Sequence, residues 1–405
     1  MKPIIASLAA LSAGVASAAA QAPAIYEMRL EAGALAGPGA DLILADIPSA
    51  QFILVGEDHG FADPPEIALA LAKAARPFGL VNHVVEIGPL TDEWAQARLA
   101  DGGPDALATA LQGRPLAIPF LGMREDAVLA DYFVKNAPRR RDALWGVDQE
   151  FIGAPLIWLD RLEALARNDA ARKLAADALA AERAAFAKGD FAAMFMFTAT
   201  PETFAALRRA FAGDSEAAPI IEALDESAAI YRAYNTGKNY ASNADRIAYI
   251  RREFLRQYGA AKGPAPRALF KMGAIHLGLG TTFLSTIDLG ALTEGLAADN
   301  GLDVLRVLVL PLSGRQTAIA PSAAGPFKTA EMKFELTADL LKAVGVDESA
   351  VAADGYTVIP LEPARRTLEQ KGLSGLSGEL RFFVLGYDYL ITTKSARAAT
   401  PLALE

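Results

Sequence analysis

Gln51-Phe52-Ile53-Leu54-Val55-Gly56-Glu57-Asp58-His59 decides the fold. A short apolar run closed by a glycine reads as a strand buried on both faces. Strands of that kind belong to parallel sheets covered by helices. The pattern returns in His83-Val84-Val85-Glu86-Ile87-Gly88-Pro89 and in Lys271-Met272-Gly273-Ala274-Ile275-His276. Each run ends on or near a polar group. In an open α/β sheet the carboxyl ends of the strands meet in one crevice, where ligands bind. His59, Glu86 and His276 are therefore expected to converge, although they lie far apart in sequence. The chain has only three histidines, and two of them sit at these strand ends.

Outward from these runs, strand and helix alternate. Pro64-Pro65-Glu66 opens a helix reaching about Ala75, since proline is favoured in a first turn. Asn82 to Ile87 reads as the second strand. Leu90 to Leu99, Asp105 to Leu111 and Met123 to Val134 read as helices. Ala143 to Val147 is the third strand, ending at Asp148. This order argues for an α/β fold with a mainly parallel sheet flanked by helices. From Pro155 to Ala260 the chain is rich in Ala, Leu, Glu and Arg at helical spacing. A large helical insertion of roughly four to six helices is expected there, lying over the carboxyl edge of the sheet. Alternation then resumes with strand Ala268 to Met272, helix Phe283 to Ala298 and strand Val304 to Leu310. The tail reads as strand Tyr356 to Ile359, helix Glu362 to Lys371 and strand Leu380 to Thr392. Gly372 to Gly378 reads as a flexible loop. The expected divisions are 1–20, 21–154, 155–262 and 263–405, with no internal repeat.

Residues 1–20 read as a signal peptide: Lys2, an apolar stretch from Ile4 to Val15, and small residues through Ala20. The stretch is too short to span a bilayer, and no later segment offers about 18 unbroken apolar residues. A periplasmic or secreted protein is expected, without a membrane span. At 405 residues and 52% hydrophobic, the chain can bury a sizeable core. It has no cysteine, hence no disulfide and no thiolate metal site. The net charge of −9 argues against nucleic acid, which usually needs a basic face. The one basic run, Arg139-Arg140-Arg141, reads as a solvated turn.

His59 is suited to accept and return a proton near neutral pH. The glycine three residues before it is expected to let the chain turn sharply at the strand end. Glu86 closes an apolar strand, where a carboxylate is rarely fully buried without a partner. It can orient an imidazole, accept a proton, bind a metal, or simply pair with a helix residue. His83 and Glu86 face opposite sides of a strand, so His83 reads as structural. Asp148 and its neighbours Gln149 and Glu150 either line the crevice or cap the next helix. Glu57, Asp58, Lys271, Arg124 and Arg246 are further candidates for contact with substrate or a developing oxyanion. Phe186, Phe191, Phe195, Phe197 and Phe204, with Tyr231, Tyr234 and Tyr240, form either ordinary core or an apolar pocket in the insertion. There is no G-x-S-x-G, H-E-x-x-H, G-x-x-x-x-G-K-[ST] or G-x-G-x-x-G. That argues against a serine esterase, a helical zincin and a nucleotide enzyme.

The combination resembles the superfamily that contains erythromycin esterases, Tiki metalloproteases and ChaN-like haem-binding proteins. Gly56-Glu57-Asp58-His59 matches its G-x-x-H motif, Glu86 its glutamate after the second strand, and His276 its late histidine. The long helical insertion is most similar to the esterase arrangement. The resemblance implies a hydrolase of an ester or lactone without a cofactor. In that scheme His59 activates water, Glu86 orients an imidazole, and His276 serves the oxyanion or leaving group. It also implies two alternatives: a divalent-metal hydrolase with His59, Glu86 and His276 as ligands, or a haem protein with His or Tyr as axial ligand. A scaffold that has lost activity is a further alternative. Asp58 stands where the esterases usually have Thr or Ser, and their later His-rich stretch is reduced to His276, which argues against macrolides. A small-molecule substrate is expected, neutral or cationic and moderately hydrophobic, held under the insertion.

Overall fold

The computed structural model describes residues 24–114, 116–138, 142–261, 263, 265–322, 325–371 and 373–402. The expected signal peptide, Arg139 to Arg141 and Gly372 lie outside them. The first strands are β1 (Tyr26–Glu31) and β2 (Ala34–Ala36), followed by β3 (Ala50–Glu57), β4 (Leu80–Val85) and β5 (Leu144–Gly146). Next come β6 (Arg267–Gly273), β7 (Asp303–Val309), β8 (Ser313–Ser322) and β9 (Gly325–Lys333). The last two are β10 (Tyr356–Pro360) and β11 (Tyr389–Thr392). Nine of them form one sheet in the order β2-β1-β10-β11-β7-β3-β6-β4-β5, while β8 and β9 pair as a separate hairpin. From β11 to β5 all neighbours are parallel, and the β2-β1-β10 edge runs antiparallel.

β3 lies in the middle of the parallel part and is buried at every position. Successive side chains on a strand face opposite ways. Ile53 and Val55 enter one core cluster, while Phe52 and Leu54 enter the other. The sheet therefore has helices and apolar side chains on both faces, as the unbroken apolar runs require. Strand register sets Glu57 level with Gly273 on β6 and with Val309 on β7. At the far edge, side chains cover the open groups of β5. Gln96 bonds both the N–H and the C=O of Leu144, Asp92 accepts from Gly146 N–H, and Gln257 donates to Gly146 C=O. An edge strand treated this way cannot template further pairing.

Between β5 and β6 the described residues make six α-helices: Pro155–Leu165, Asp169–Lys188, Phe195–Thr198, Pro201–Ala210, Ala217–Asn235 and Asn239–Ala260. Two elements differ from the sequence reading. The helix expected from Phe283 begins only at Leu289, because Asp288 caps it through Leu289 N–H at 2.7 Å. The strand expected over 380–392 is a helix, Gly378–Gly386, followed by β11. Ser377 caps that helix, and Phe382, Phe383 and Val384 are buried on it. A short apolar run does not reveal by periodicity whether it is strand or helix. The helices read at Leu90 and Asp105 both form within Pro89–Leu111, separated by a break at Gly102 and Gly103 where the backbone is non-helical. β1, β2, the helix Pro38–Asp46, the β8–β9 hairpin and the helix Glu335–Ala343 have no counterpart in the sequence reading.

Gly56 serves packing rather than the sharp turn read from sequence. Its φ is not positive, unlike that of Gly60. A Cβ there would run into the Tyr387 ring, 2.8 Å from Cζ, and into the hydroxyl that donates to Ala274 C=O. Gly56→Ala should therefore destabilise the fold by ~1–3 kcal/mol, the usual cost of overpacking a core. An unchanged denaturant midpoint would show that Tyr387 can move aside.

Candidate active site

Strand ends position most of the site. Glu57 is the last residue of β3, and His59 follows in the next loop. Glu86 lies one residue beyond β4, and Asp148 lies two beyond β5. Lys271 and Gly273 belong to β6, and His276 sits in the single 3₁₀ turn that follows it. The helix Asn239–Ala260 contributes Arg246, and the helix Arg124–Asn136 contributes Asp126.

Glu86 is the hub. Oε1 lies 3.0 Å from Arg246 Nη2 and 3.4 Å from His276 Nε2. Oε2 accepts from Gly273 N–H at 2.7 Å and lies 3.7 Å from His59 Nε2. His276 Nδ1 faces Asp288 Oδ2 at 2.6 Å. Asp148 grips Arg246 with both oxygens, at 3.0 and 2.5 Å. On the other side of His59, Nδ1 bonds Glu57 Oε1 at 2.8 Å. Lys271 Nζ joins Glu57 at 2.7 Å to Asp126 at 2.6 Å. The result is one line of mostly alternating charge running Asp126, Lys271, Glu57, His59, Glu86, His276, Asp288.

Charge states follow from this line. Burial disfavours charge on Glu86, but His59, His276 and Arg246 hold its carboxyl well below the usual range. Burial likewise opposes ionised Glu57, and Lys271 and His59 reverse that. Burial favours neutral His276, yet Asp288 and Glu86 push it up to about 10. It is an imidazolium at neutral pH, with both N–H groups committed to carboxylates. Burial favours neutral His59 too, but Glu86 and Glu57 raise it above its ordinary value. Desolvation raises Asp126 to about 6 against the pull of Lys271.

His59, Glu86 and His276 are thus brought together from strand ends, with Asp148 beside them, and Arg246 joins them from the helix Asn239–Ala260. Other candidates sit differently. Lys271 is 4% exposed and clasped by two carboxylates, so its ammonium is not offered to a substrate. Glu57 orients His59, whereas the sequence reading placed it among the substrate contacts. Asp58 is exposed and faces Gln316 at 3.4 Å. Arg124 pairs with exposed Asp105. Glu150 caps the earlier helix Pro89–Leu111 through Leu90 and Thr91 N–H, rather than the helix after it. His83 stacks on Phe133, bonds Leu269 C=O, and is pushed down to about 3 by burial, so it is a neutral core residue.

Beside His59 opens a cleft of about 270 Å³, lined by Pro119, Phe120, Met123, Lys271, Thr317 and Ile319 among others. Phe120 stacks on the His59 ring at 4.0 Å. The aromatic residues of the insertion go elsewhere. Phe186, Phe191, Phe195, Phe197, Phe204 and Tyr231 pack in or against the main core, while Tyr234 and Tyr240 are exposed. Asp126, Asp288, Phe120 and the hairpin wall were not legible in the sequence. Asp288 lay hidden inside the expected helix from Phe283, though an Asp before a helix is a capping signal.

The donor set does not suit a resident metal. Among the described residues no group of three or more His, Asp and Glu is placed to hold one. Arg246 already neutralises Glu86, and both His276 nitrogens face carboxylates. For the same reason His276 has no open nitrogen for haem iron.

No protein-family model matches the chain, and no curated protein matches it. Among solved structures it is similar to an erythromycin esterase, the EreC histidine-to-asparagine mutant in its open conformation. That likeness has a TM-score of 0.56 at 14% identity and covers 93% of this chain and 98% of that one. A succinoglycan biosynthesis protein gives 0.52 at 12%, covering 92% and 96%. A protein from Bacillus cereus gives 0.50 at 12%, covering 93% and 96%. Identities this low establish a shared fold, an α/β architecture of the erythromycin esterase kind.

Proposed function

We propose that this protein is an exported hydrolase of an ester or lactone in which His59 activates water. One observation carries the reading: His59 is one-third exposed, its Nδ1 is fixed by buried Glu57, and its Nε2, 3.7 Å from Glu86 Oε2, lies beyond hydrogen-bond reach of it. A carboxylate on Nδ1 sets the tautomer and leaves Nε2 as the base. Nε2 takes a proton from water, and the resulting hydroxide attacks the carbonyl. Arg246, a quarter exposed, supplies positive charge for the tetrahedral oxyanion, while His276, its N–H groups held by Asp288 and Glu86, acts through Glu86. The proton on Nε2 then returns to the leaving alkoxide, giving an acid and an alcohol. Glu86 holds Arg246 and His276 in place. The shared fold with an erythromycin esterase supports a hydrolase, and the leader-like N-terminus supports export. Among the described residues no helix is long and apolar enough to cross a membrane.

Purified protein should turn over neutral, apolar esters or lactones in preference to phosphate esters and peptides. Dialysis against a strong chelator should leave that activity unchanged, since the scheme uses no metal. Loss on chelation, restored by one divalent metal, would put the ion at His59, Glu86 and His276 instead. A Soret band on the isolated protein would favour the haem reading.

A further inference from the structure

The cleft beside His59 is small and its far wall is fixed. About 270 Å³ falls just below the ~300–1,000 Å³ of pockets that hold drug-sized ligands. One wall is Phe120, stacked on His59 and braced edge-on by Phe151 at 5.6 Å. Strand β8 lines the cleft with Gln316 to Ile319, and Ile319 pairs across the hairpin with Phe327. Beside the cleft, bonds at Gln316 and Thr317 pin this strand to neighbouring loops. Gln316 donates to His59 C=O at 2.9 Å, Thr317 N–H to Gly60 C=O at 3.0 Å, and the Thr317 hydroxyl to Ala399 C=O at 2.7 Å. Gly60 has a φ of 93° and leaves no room for a Cβ against the Thr317 backbone. Only glycine lets the strand come this close. The cleft's polar lining is net negative, with the single Lys271 ammonium between the carboxylates of Glu57 and Asp126 and with Asp58 beside them, which disfavours an anionic substrate.

Resting on the hydrolase reading above, we propose that the site takes small neutral esters or lactones. Their apolar group, a few carbons long, lodges between Phe120, Met123 and Ile319, and the pinned hairpin excludes longer chains. Chain length is thus set by the loop carrying Phe120 and by the hairpin, not by the aromatic residues of the helical insertion.

Two measurements test this. The first compares kcat/KM for nitrophenyl acetate, butyrate and octanoate. The second is calorimetric binding of monomethyl butylphosphonate and monomethyl octylphosphonate, unreactive tetrahedral mimics. Butyrate should exceed octanoate by at least ~10-fold, the scale on which apolar pockets discriminate. The butyl mimic should likewise bind more tightly than the octyl one. Ile319→Ala should raise the ratio of octanoate to butyrate turnover and tighten octyl binding relative to butyl binding. Ile319→Trp should abolish butyl binding. Equal or better use of the octyl compounds by the unaltered protein would overturn the size limit while leaving His59-dependent hydrolysis intact. Butyl-selective binding, lost in Ile319→Trp, without hydrolysis of any ester would overturn the hydrolase and keep the cleft. Failure of both mimics to bind would overturn the cleft assignment.

Discussion

His59→Ala is expected to lower ester hydrolysis by ~10²–10⁴-fold, the usual value of a positioned general base, while the protein stays folded. The ring is one-third exposed, so its removal opens no deep cavity. Its loss also takes away one cation beside Glu86 and Glu57, but Arg246, His276 and Lys271 still balance them. In the unaltered protein, kcat/KM should fall as pH drops through the His59 pKa, because only neutral Nε2 can accept a proton. That pKa lies above its ordinary value, since Glu86 and Glu57 together outweigh burial. The acid limb should therefore sit above the ~6.5 of a free histidine. A folded His59→Ala variant with full activity, or an acid limb well below 6.5, would remove His59 from the mechanism.

What the sequence made legible followed from burial on both faces. β3, β4 and β6 stand out as apolar runs because helices cover the sheet on each side, and the polar residue ending each run marks the crevice. That is why Glu86 and His276 could be placed near His59. The partners that set their charge were hidden for specific reasons. Asp126 lies on an amphipathic helix, where a buried Asp looks like any solvated one until Lys271 is seen beside it. Asp288 sat inside an expected helix. β8 and β9 are half exposed and polar, so they lack the apolar signature of the central strands, yet β8 lines the cleft. Gly56 was legible as special, but its reason, the Tyr387 ring, comes from a residue distant in sequence and cannot be read locally.

Glu86→Gln should affect stability as well as activity, with the larger combined effect of the two substitutions. The carboxylate meets donors from Arg246, His276 and Gly273, with His59 close by. A glutamine keeps the shape but has one acceptor, and its NH₂ must face donors on one side. It also leaves two buried cations with only Asp148 and Asp288. Removing one partner from a buried ion cluster typically costs ~3–5 kcal/mol. Activity should drop at least as far as in His59→Ala, because Arg246 loses the anchor that aims it. The pH dependence separates the parts. Glu86 has a depressed folded pKa, so its contribution is present above the unfolded value of ~4.3 and is lost as pH falls through the folded one. His276 is raised to about 10, so its contribution is complete below ~6.5 and is lost as pH climbs toward 10. The unaltered protein should lose Tm across that alkaline window. The Glu86→Gln protein should start lower, with a shallower alkaline fall, since His276 keeps only Asp288 to hold its proton. If Glu86→Gln matched the unaltered protein in Tm from pH 5 to 10, the buried charge line would not be what holds these strand ends together.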